Sequence, residues 1–238
     1  MNLGPGSKIL EVGCGLGQDA KAIARMIDSR VYDRALDDDG GFVVAVDASR
    51  KMLKEASIIA RNSNCVQYCL ADARQLPFGD GVFDGARADR VLQHISESKI
   101  ALGEMIRTVR EGGRVVVYEP DWGTFIIIPG KREVSRTMIQ LFGDTFPNGW
   151  IGRQLPGLFR KERLRNIQVE PQTFFTCDLA LASQVFDLAN NARRAVEMGC
   201  VLQSQASEWL EELERSRRQD CFFCSHTGFL VCGEKGRR

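Results

Sequence analysis

The sequence predicts an α/β fold built on a doubly wound, mostly parallel sheet with helical insertions, and three observations carry that expectation. Short apolar runs of strand length alternate with segments of helical spacing. Residues 8–17, Lys-Ile-Leu-Glu-Val-Gly-Cys-Gly-Leu-Gly, run from an apolar strand into three alternate glycines and then into a helical pattern. A polar or acidic residue follows nearly every strand, at Asp47, Asp72, Asp89 and Glu119. Parallel neighbours need crossover helices, which cover both faces of the sheet, and ligands bind at the carboxyl ends of such strands.

Each element has its own reason. Lys8 to Cys14 is apolar enough for a strand buried on both faces. Gln18 to about Tyr32 repeats apolar residues at Ala20, Ile23, Ala24 and Ile27, the spacing of a helix. Asp37-Asp38-Asp39 with Gly40-Gly41 reads as a solvated loop, and adjacent aspartates lack the alternate spacing of a calcium loop. Phe42 to Val46 is a second strand, and Ser49 caps a helix to about Arg61. Cys65 to Leu70 and Val82 to Ala88 are the third and fourth strands. Glu97 to Arg110 is a helix stopped by Glu111-Gly112-Gly113, and Arg114 to Tyr118 the fifth strand. Gly123 to Gly152 then reads as an insertion with a helix near Val134 to Phe142. Leu155 to Leu164 is the next crossover helix, Ile167 to Phe175 a sixth strand and Cys221 to Cys232 the last. Two helices, Asp178 to Met198 and Ser204 to Arg217, lie between those strands. The expected division is a core over 1–120, a cap insertion over 121–152, core again over 153–177, a helical cap insertion over 178–218, and the last strand and tail over 219–238.

At 238 residues the chain suits one elaborated domain. Thirty-two basic against thirty-one acidic residues leave a net charge of +1, too little to steer toward nucleic acid or an anionic membrane. The basic tail of Lys235, Arg237 and Arg238 reads as a solvated end. Eight cysteines without a signal peptide or a membrane-spanning apolar run point to free thiols in a reducing cytoplasm. The Cys221 to Cys224 pair lies in a strand pattern, where residues three apart face opposite ways, so no metal is expected.

The glycine turn admits two kinds of ligand. A dinucleotide fingerprint, G-x-G-x-x-G, would put its third glycine where Gln18 stands; the glycines here fall as G-x-G-x-G, two residues after Glu11. Asp47 could accept a ribose diol from either ligand. Asp72-Ala73 discriminates, because a carboxylate and the following N–H there suit adenine rather than a nicotinamide cofactor.

Taken together, Glu11 to Gly17, Asp47, Asp72-Ala73 with Leu76-Pro77-Phe78, Phe83-Asp84 and Gly112-Gly113 resemble the class I S-adenosylmethionine-dependent methyltransferases. Within them the likeness is to small-molecule enzymes similar to the ubiquinone/menaquinone-biosynthesis group, over residues 8 to 120. The resemblance implies a Rossmann-like sheet of seven strands whose last strand is antiparallel. It implies S-adenosyl-L-methionine as cofactor, with Glu11 ordering the loop or the amino group and Gly13, Gly15 and Gly17 passing the methionine portion. Asp47 takes the ribose, with Ala48 and Met52 near the adenosine; Asp72 and Ala73 hold adenine; Asp89 and Arg90 reach the methionine portion. Family members carry helices before the first strand, where only seven residues stand here, so the expected cover comes from the two insertions.

Methyl transfer from a sulfonium needs alignment and water exclusion more than acid catalysis. The catalytic candidates are His94, Glu119 and Asp121, while His226 reads as structural. The aromatic cluster of the first insertion, with Trp122, Phe125 and Trp150 as substrate contacts, suggests a hydrophobic or aromatic small-molecule acceptor, and Arg153 an acidic group on it. The composition leaves room for a homodimer. The alternative to an enzyme is a catalytically inactive methyltransferase-like protein that binds the donor; a nicotinamide oxidoreductase is third.

Overall fold

The computed structural model describes residues 3–28, 40–59, 65–128 and 131–237. The Asp37 to Asp39 loop and the helical residues expected at 29–32 lie outside them. Within them the elements alternate: β1 (Lys8–Val12), α1 (Gln18–Ile27), β2 (Phe42–Asp47), α2 (Arg50–Ile59), β3 (Val66–Leu70), β4 (Phe83–Asp89), α3 (Ser98–Thr108) and β5 (Val109–Ile128). Then come α4 (Arg132–Gly143), α5 (Ile151–Lys161), β6 (Arg165–Thr176), α6 (Leu179–Phe186), α7 (Leu188–Glu197), α8 (Gln203–Arg218) and β7 (Phe223–Glu234).

The sheet has seven strands in the order β3-β2-β1-β4-β5-β7-β6. β1, β2, β3, β4 and β5 pair in parallel. β7 runs the other way. Gly112 donates to Lys235 and Lys235 to Gly113, each at 2.9 Å, whereas Thr227 N–H donates to the Thr124 hydroxyl at 2.8 Å, so one strand descends as the other climbs. This is the expected Rossmann-like, doubly wound arrangement.

The chain divides into two compact units. The first comprises Met1–Glu119, Gln154–Glu170 and Leu230–Arg238; the second comprises Pro120–Arg153 and Pro171–Phe229. In the first, α1 lays Ala20, Ile23, Ala24 and Ile27 against Ile9, Val43 and Ala45, each large apolar side chain contributing about 1.5–3 kcal/mol. Asp84 ties the starts of two strands, accepting the Lys8 N–H at 2.7 Å and Arg110 Nε at 2.6 Å. Burial disfavours its charge, but these two donors outweigh that and hold its carboxyl below the usual range. The second unit has its own core, in which Trp122, Phe125, Met138, Phe186, Trp209 and Cys224 are buried together.

Three expectations need correction. The fifth strand does not stop at Tyr118 but continues to Ile128, with Phe125 and Ile127 buried and Ile126 and Ile128 exposed in strand alternation. Gly112-Gly113, read as a helix stop, instead lies in a bulge of that strand, since Phe83 pairs with Val109 and Gly85 with Arg114. The helix expected over Asp178 to Met198 is two, because Asp187 takes a left-handed φ of 47° that breaks the ladder.

Candidate active site

The site grows from the end of β1, where Gly13, Gly15 and Gly17 all adopt positive φ, at 69°, 51° and 70°. They are not equivalent. A Cβ on Gly13 would strike the Val91 methyls and one on Gly17 the Tyr68 ring, whereas one on Gly15 would meet nothing within 4 Å. Two glycines therefore let the turn pack, and the middle one leaves its open side free for a ligand. Gly13→Ala is expected to destabilise by about 2–4 kcal/mol through backbone strain plus overpacking; Gly15→Ala should show only the strain, in urea unfolding of the two variants side by side.

Hydrogen bonds pin this turn to β2. Cys14 N–H donates to the Val46 carbonyl at 2.9 Å, and Gly15 N–H to Asp47 Oδ2 at 2.8 Å. The other Asp47 oxygen accepts the Ser49 N–H at 2.8 Å. Beside the turn lies a cavity of about 580 Å³, lined by Gly13 and Gly15, by Asp47, Ala48, Ser49 and Met52, by Ala71 to Arg74, and by Arg90, Val91, His94, Ile95 and Ser96. A second, of about 300 Å³, shares Gly13, Gly15 and Arg90 with it and reaches Glu11, Asp19 and Asp89. The two meet at the glycine turn through those shared residues and are here called the trough; each is of a size that suits a small ligand.

Most residues expected at the donor meet here. Gly17 is the exception in kind, acting from behind the turn against Tyr68. Arg90 has a left-handed φ of 56°, strained for a side chain of its size, and is held by its N–H on the Tyr118 carbonyl and by Nε on Asp89, both at 2.9 Å. Asp72 lines the larger cavity with a side-chain partner already on it. Arg74 grips its carboxylate through Nε and Nη2, the latter at 2.7 Å, and holds its pKa down, while Nη1 reaches Glu97 at 2.8 Å. The adenine-side carboxylate is thus already paired.

The three catalytic candidates separate. His94, in a 3₁₀ turn at Leu92–His94, lines the larger cavity, and burial lowers its pKa, which keeps the ring neutral near pH 7. Glu119 is fully buried and absent from the lining. Its oxygens accept the N–H groups of Val91 at 2.8 Å, Leu92 at 2.5 Å and Gln93 at 3.3 Å, which caps the turn carrying His94. Burial pushes its carboxyl up to about 7 despite those donors. Asp121 belongs to the second unit, buried and clasped by Arg153 at 2.5 and 2.7 Å.

Trp122, Phe125, Trp150 and Arg153 also belong to that unit. Trp122 and Phe125 pack in its core, Trp122 stacking on Phe146 with ring centres 5.3 Å apart. Trp150 is exposed beneath the Arg153 guanidinium, 4.9 Å from the ring centre. The same unit holds a cavity of about 750 Å³ lined by Trp122, Phe125, Ile126, Ile128, Ile139 and Trp150 among others, with Arg132 and Arg136 at it. His226 is buried against Trp122, as its structural reading expected. Among the described residues, no cluster of three His, Cys, Asp or Glu could hold a metal ion, and no helix is long and apolar enough to cross a membrane.

Sequence reading overlooked Arg74, Val91, Ile95, Ser96 and Arg87. The last had a signal: an arginine inside Phe-Asp-Gly-Ala-Arg-Ala-Asp, a strand whose central position predicts burial on both faces.

Comparison with known proteins bears on this geometry. A family model described as a methyltransferase domain matches residues 10–117. Over 97% of its length the chain is 34% identical to an uncharacterized 37.1 kDa protein in transposon TN4556 of Streptomyces fradiae, and it spans 63% of that protein's own length. It is 30% identical to the demethylmenaquinone methyltransferase of Anoxybacillus flavithermus, over 73% of this chain and 76% of that one. The YcgJ protein of Bacillus subtilis superposes with a TM-score of 0.66 at 15% identity, covering 100% of this chain and 95% of the other, a likeness of fold. Since the methyltransferase relative is 30% identical and is covered over most of its length, and the family model matches the stretch that carries most of the trough's lining, the chain belongs to the class I S-adenosylmethionine-dependent methyltransferases.

Proposed function

We propose that the chain transfers a methyl group from S-adenosylmethionine to a small hydrophobic or aromatic acceptor. One observation carries the donor reading: the two cavities share the open Gly15, and each is lined by a carboxylate of its own. Asp47 lines the larger; in the smaller, Glu11 Oε2 is buried with no hydrogen-bond partner among the described residues. A ligand with ribose hydroxyls at one end and an ammonium at the other matches that layout. A nicotinamide cofactor matches it less well, because Gln18 occupies the third glycine place of its fingerprint.

The donor, when bound, supplies an electrophilic methyl on a sulfonium and leaves as a neutral thioether, so no general acid is required. The residues then have these roles. Asp47 accepts from the ribose hydroxyls, Ala73 offers its N–H to the adenine edge, Glu11 receives the ammonium, and Arg90 faces the carboxylate. Gly15 permits close approach of the backbone. Neutral His94 is the group at the cavity that could take a proton from an acidic acceptor. Alignment and water exclusion supply most of the acceleration.

The acceptor reading is supported by the apolar cavity of the second unit and by the near-zero net charge, which suits a small molecule better than nucleic acid. The eight cysteines, all free, support a reducing cytoplasmic setting. Calorimetry with S-adenosylmethionine, S-adenosylhomocysteine and NAD tests the donor; micromolar affinity for the first two is expected, and binding of NAD alone would overturn the reading. Methyl transfer from labelled donor to phenols, quinols or prenylated compounds tests the acceptor class, and methylation of hydrophilic acceptors only would reject it.

A further inference from the structure

We infer that Arg87 is a positioning residue: as a counter-charge shared by three carboxylates, and the one bonded to Glu11 among the described residues, it controls the ionisation of Glu11 and makes capture of the donor's ammonium a proton-releasing step. This rests on the donor reading above.

The geometry is specific. Arg87 stands directly opposite Glu11 across the β1–β4 ladder. Its Nη1 donates to Glu11 Oε1, and its Nη2 donates to Asp19 Oδ2 at 2.9 Å and to Asp89 Oδ2 at 2.7 Å. One positive charge thus serves acids from β1, from α1 and from the end of β4. With all three ionised, Arg87 and Arg90 leave the cluster one negative charge in excess around a cavity that Glu11, Asp19, Asp89 and Arg90 line. Glu11 Oε2, itself buried, has no hydrogen-bond partner among the described residues and is the cluster's unused acceptor.

An anionic cluster around a buried, half-satisfied carboxylate is complementary to an ammonium and penalises its own ionisation when empty. The groups facing Glu11 are Arg87, Asp19, Asp89 and the thiol of Cys14, with Arg90 beyond Asp89. The thiol stays protonated, pushed up to about 12 by burial and by Asp47 and Glu11, so it adds no charge near neutral pH. Burial, opposed by Arg87 and reinforced by Asp19 and Asp89, pushes the Glu11 carboxyl up to about 8. Arriving ammonium replaces the proton, which leaves to solvent.

Two probes separate this from a purely structural role. S-adenosylhomocysteine carries the ammonium; 5′-methylthioadenosine has the adenosine and thioether without it. Wild-type affinity for the first should strengthen roughly 50-fold between about pH 6 and 8, the linkage expected for one proton released from a group near 8. Affinity for the second should be flat. In Arg87→Met the midpoint should move to higher pH, with S-adenosylhomocysteine weakened roughly tenfold at pH 7, about 1.4 kcal/mol, and 5′-methylthioadenosine unchanged; Arg87→Lys should restore the midpoint in part. Glu11→Gln should abolish the slope. If Arg87→Met fails to fold, proton release by the wild type, from calorimetry in buffers of different ionisation enthalpy, carries the test. A flat wild-type profile, or equal weakening of both probes in Arg87→Met, overturns the inference and leaves the donor reading standing. Failure of both probes to bind the wild type removes the donor reading and this inference with it.

Discussion

Asp47→Ala is expected to weaken S-adenosylmethionine binding about 100-fold or more, read by calorimetry, in a chain that still unfolds cooperatively. The carboxylate does two things at once. It accepts the Gly15 and Ser49 N–H groups at 2.8 Å each, fixing the open glycine against the end of β2, and it faces the cavity with its remaining lone pairs. Hydrogen bonds to an ionised group are worth about 1.5–3 kcal/mol each, so losing two ligand contacts and the turn's anchor reaches that magnitude. The site is only part-buried, so water re-satisfies the freed N–H groups and global stability should change little. Asp47→Asn, which keeps one oxygen acceptor, should fall between. Unchanged affinity in Asp47→Ala would detach the glycine turn from donor binding.

The largest loss of stability is expected from Glu119→Ala, about 3–5 kcal/mol in denaturant unfolding. Its side chain satisfies three N–H groups, those of Leu92 and Gln93 among buried atoms, and alanine leaves them unpaired beside a new cavity. Glu119→Gln, retaining one oxygen, should lose less. The pH dependence has a definite sign. Folded Glu119 and Glu11 titrate near 7 and 8, above the unfolded value of 4.5, so the native state holds protons that the unfolded chain has released. Their contribution is full below about 4.5 and is lost as pH rises through the folded values. Carboxyls shifted downward, such as Asp84 and Glu104, have made their full contribution once pH passes their unfolded values. Stability should therefore decline between about pH 5 and 8, and in Glu119→Gln the decline should lie mainly with Glu11; a profile that rises over this range would contradict both burial-driven shifts.

Much of the fold was legible because its signals are local. The glycine turn, the strand-end polar residues and the helical spacing of Ala20, Ile23, Ala24 and Ile27 each act within a few residues, and the observed elements follow them. Punctuation misled where packing overrode it. Gly112-Gly113 suggested a stop, yet Gly113 sits where a Cβ would meet the Asp84 carbonyl, so the glycine is demanded by a neighbouring strand rather than by a chain end. Asp187 gave little warning of a helix break, since aspartate tolerates the left-handed region without requiring it.

In the candidate site the division runs between residue type and partner. The sequence by itself determined the doubly wound class of the fold, the turn at 13–17 and the carboxylates that follow the strands, because periodicity and spacing encode which end of the sheet is polar. Only the tertiary structure decided what those carboxylates do. Glu119 and Asp72 looked alike at strand ends; one caps three N–H groups in the interior and the other is gripped by Arg74 at the surface. Arg87 carried no motif at all, and it meets Glu11 because a strand 76 residues away sets that residue opposite it. Charge, burial and hydrogen-bond count are properties of assembled neighbours, and a chain read in order does not yet have neighbours.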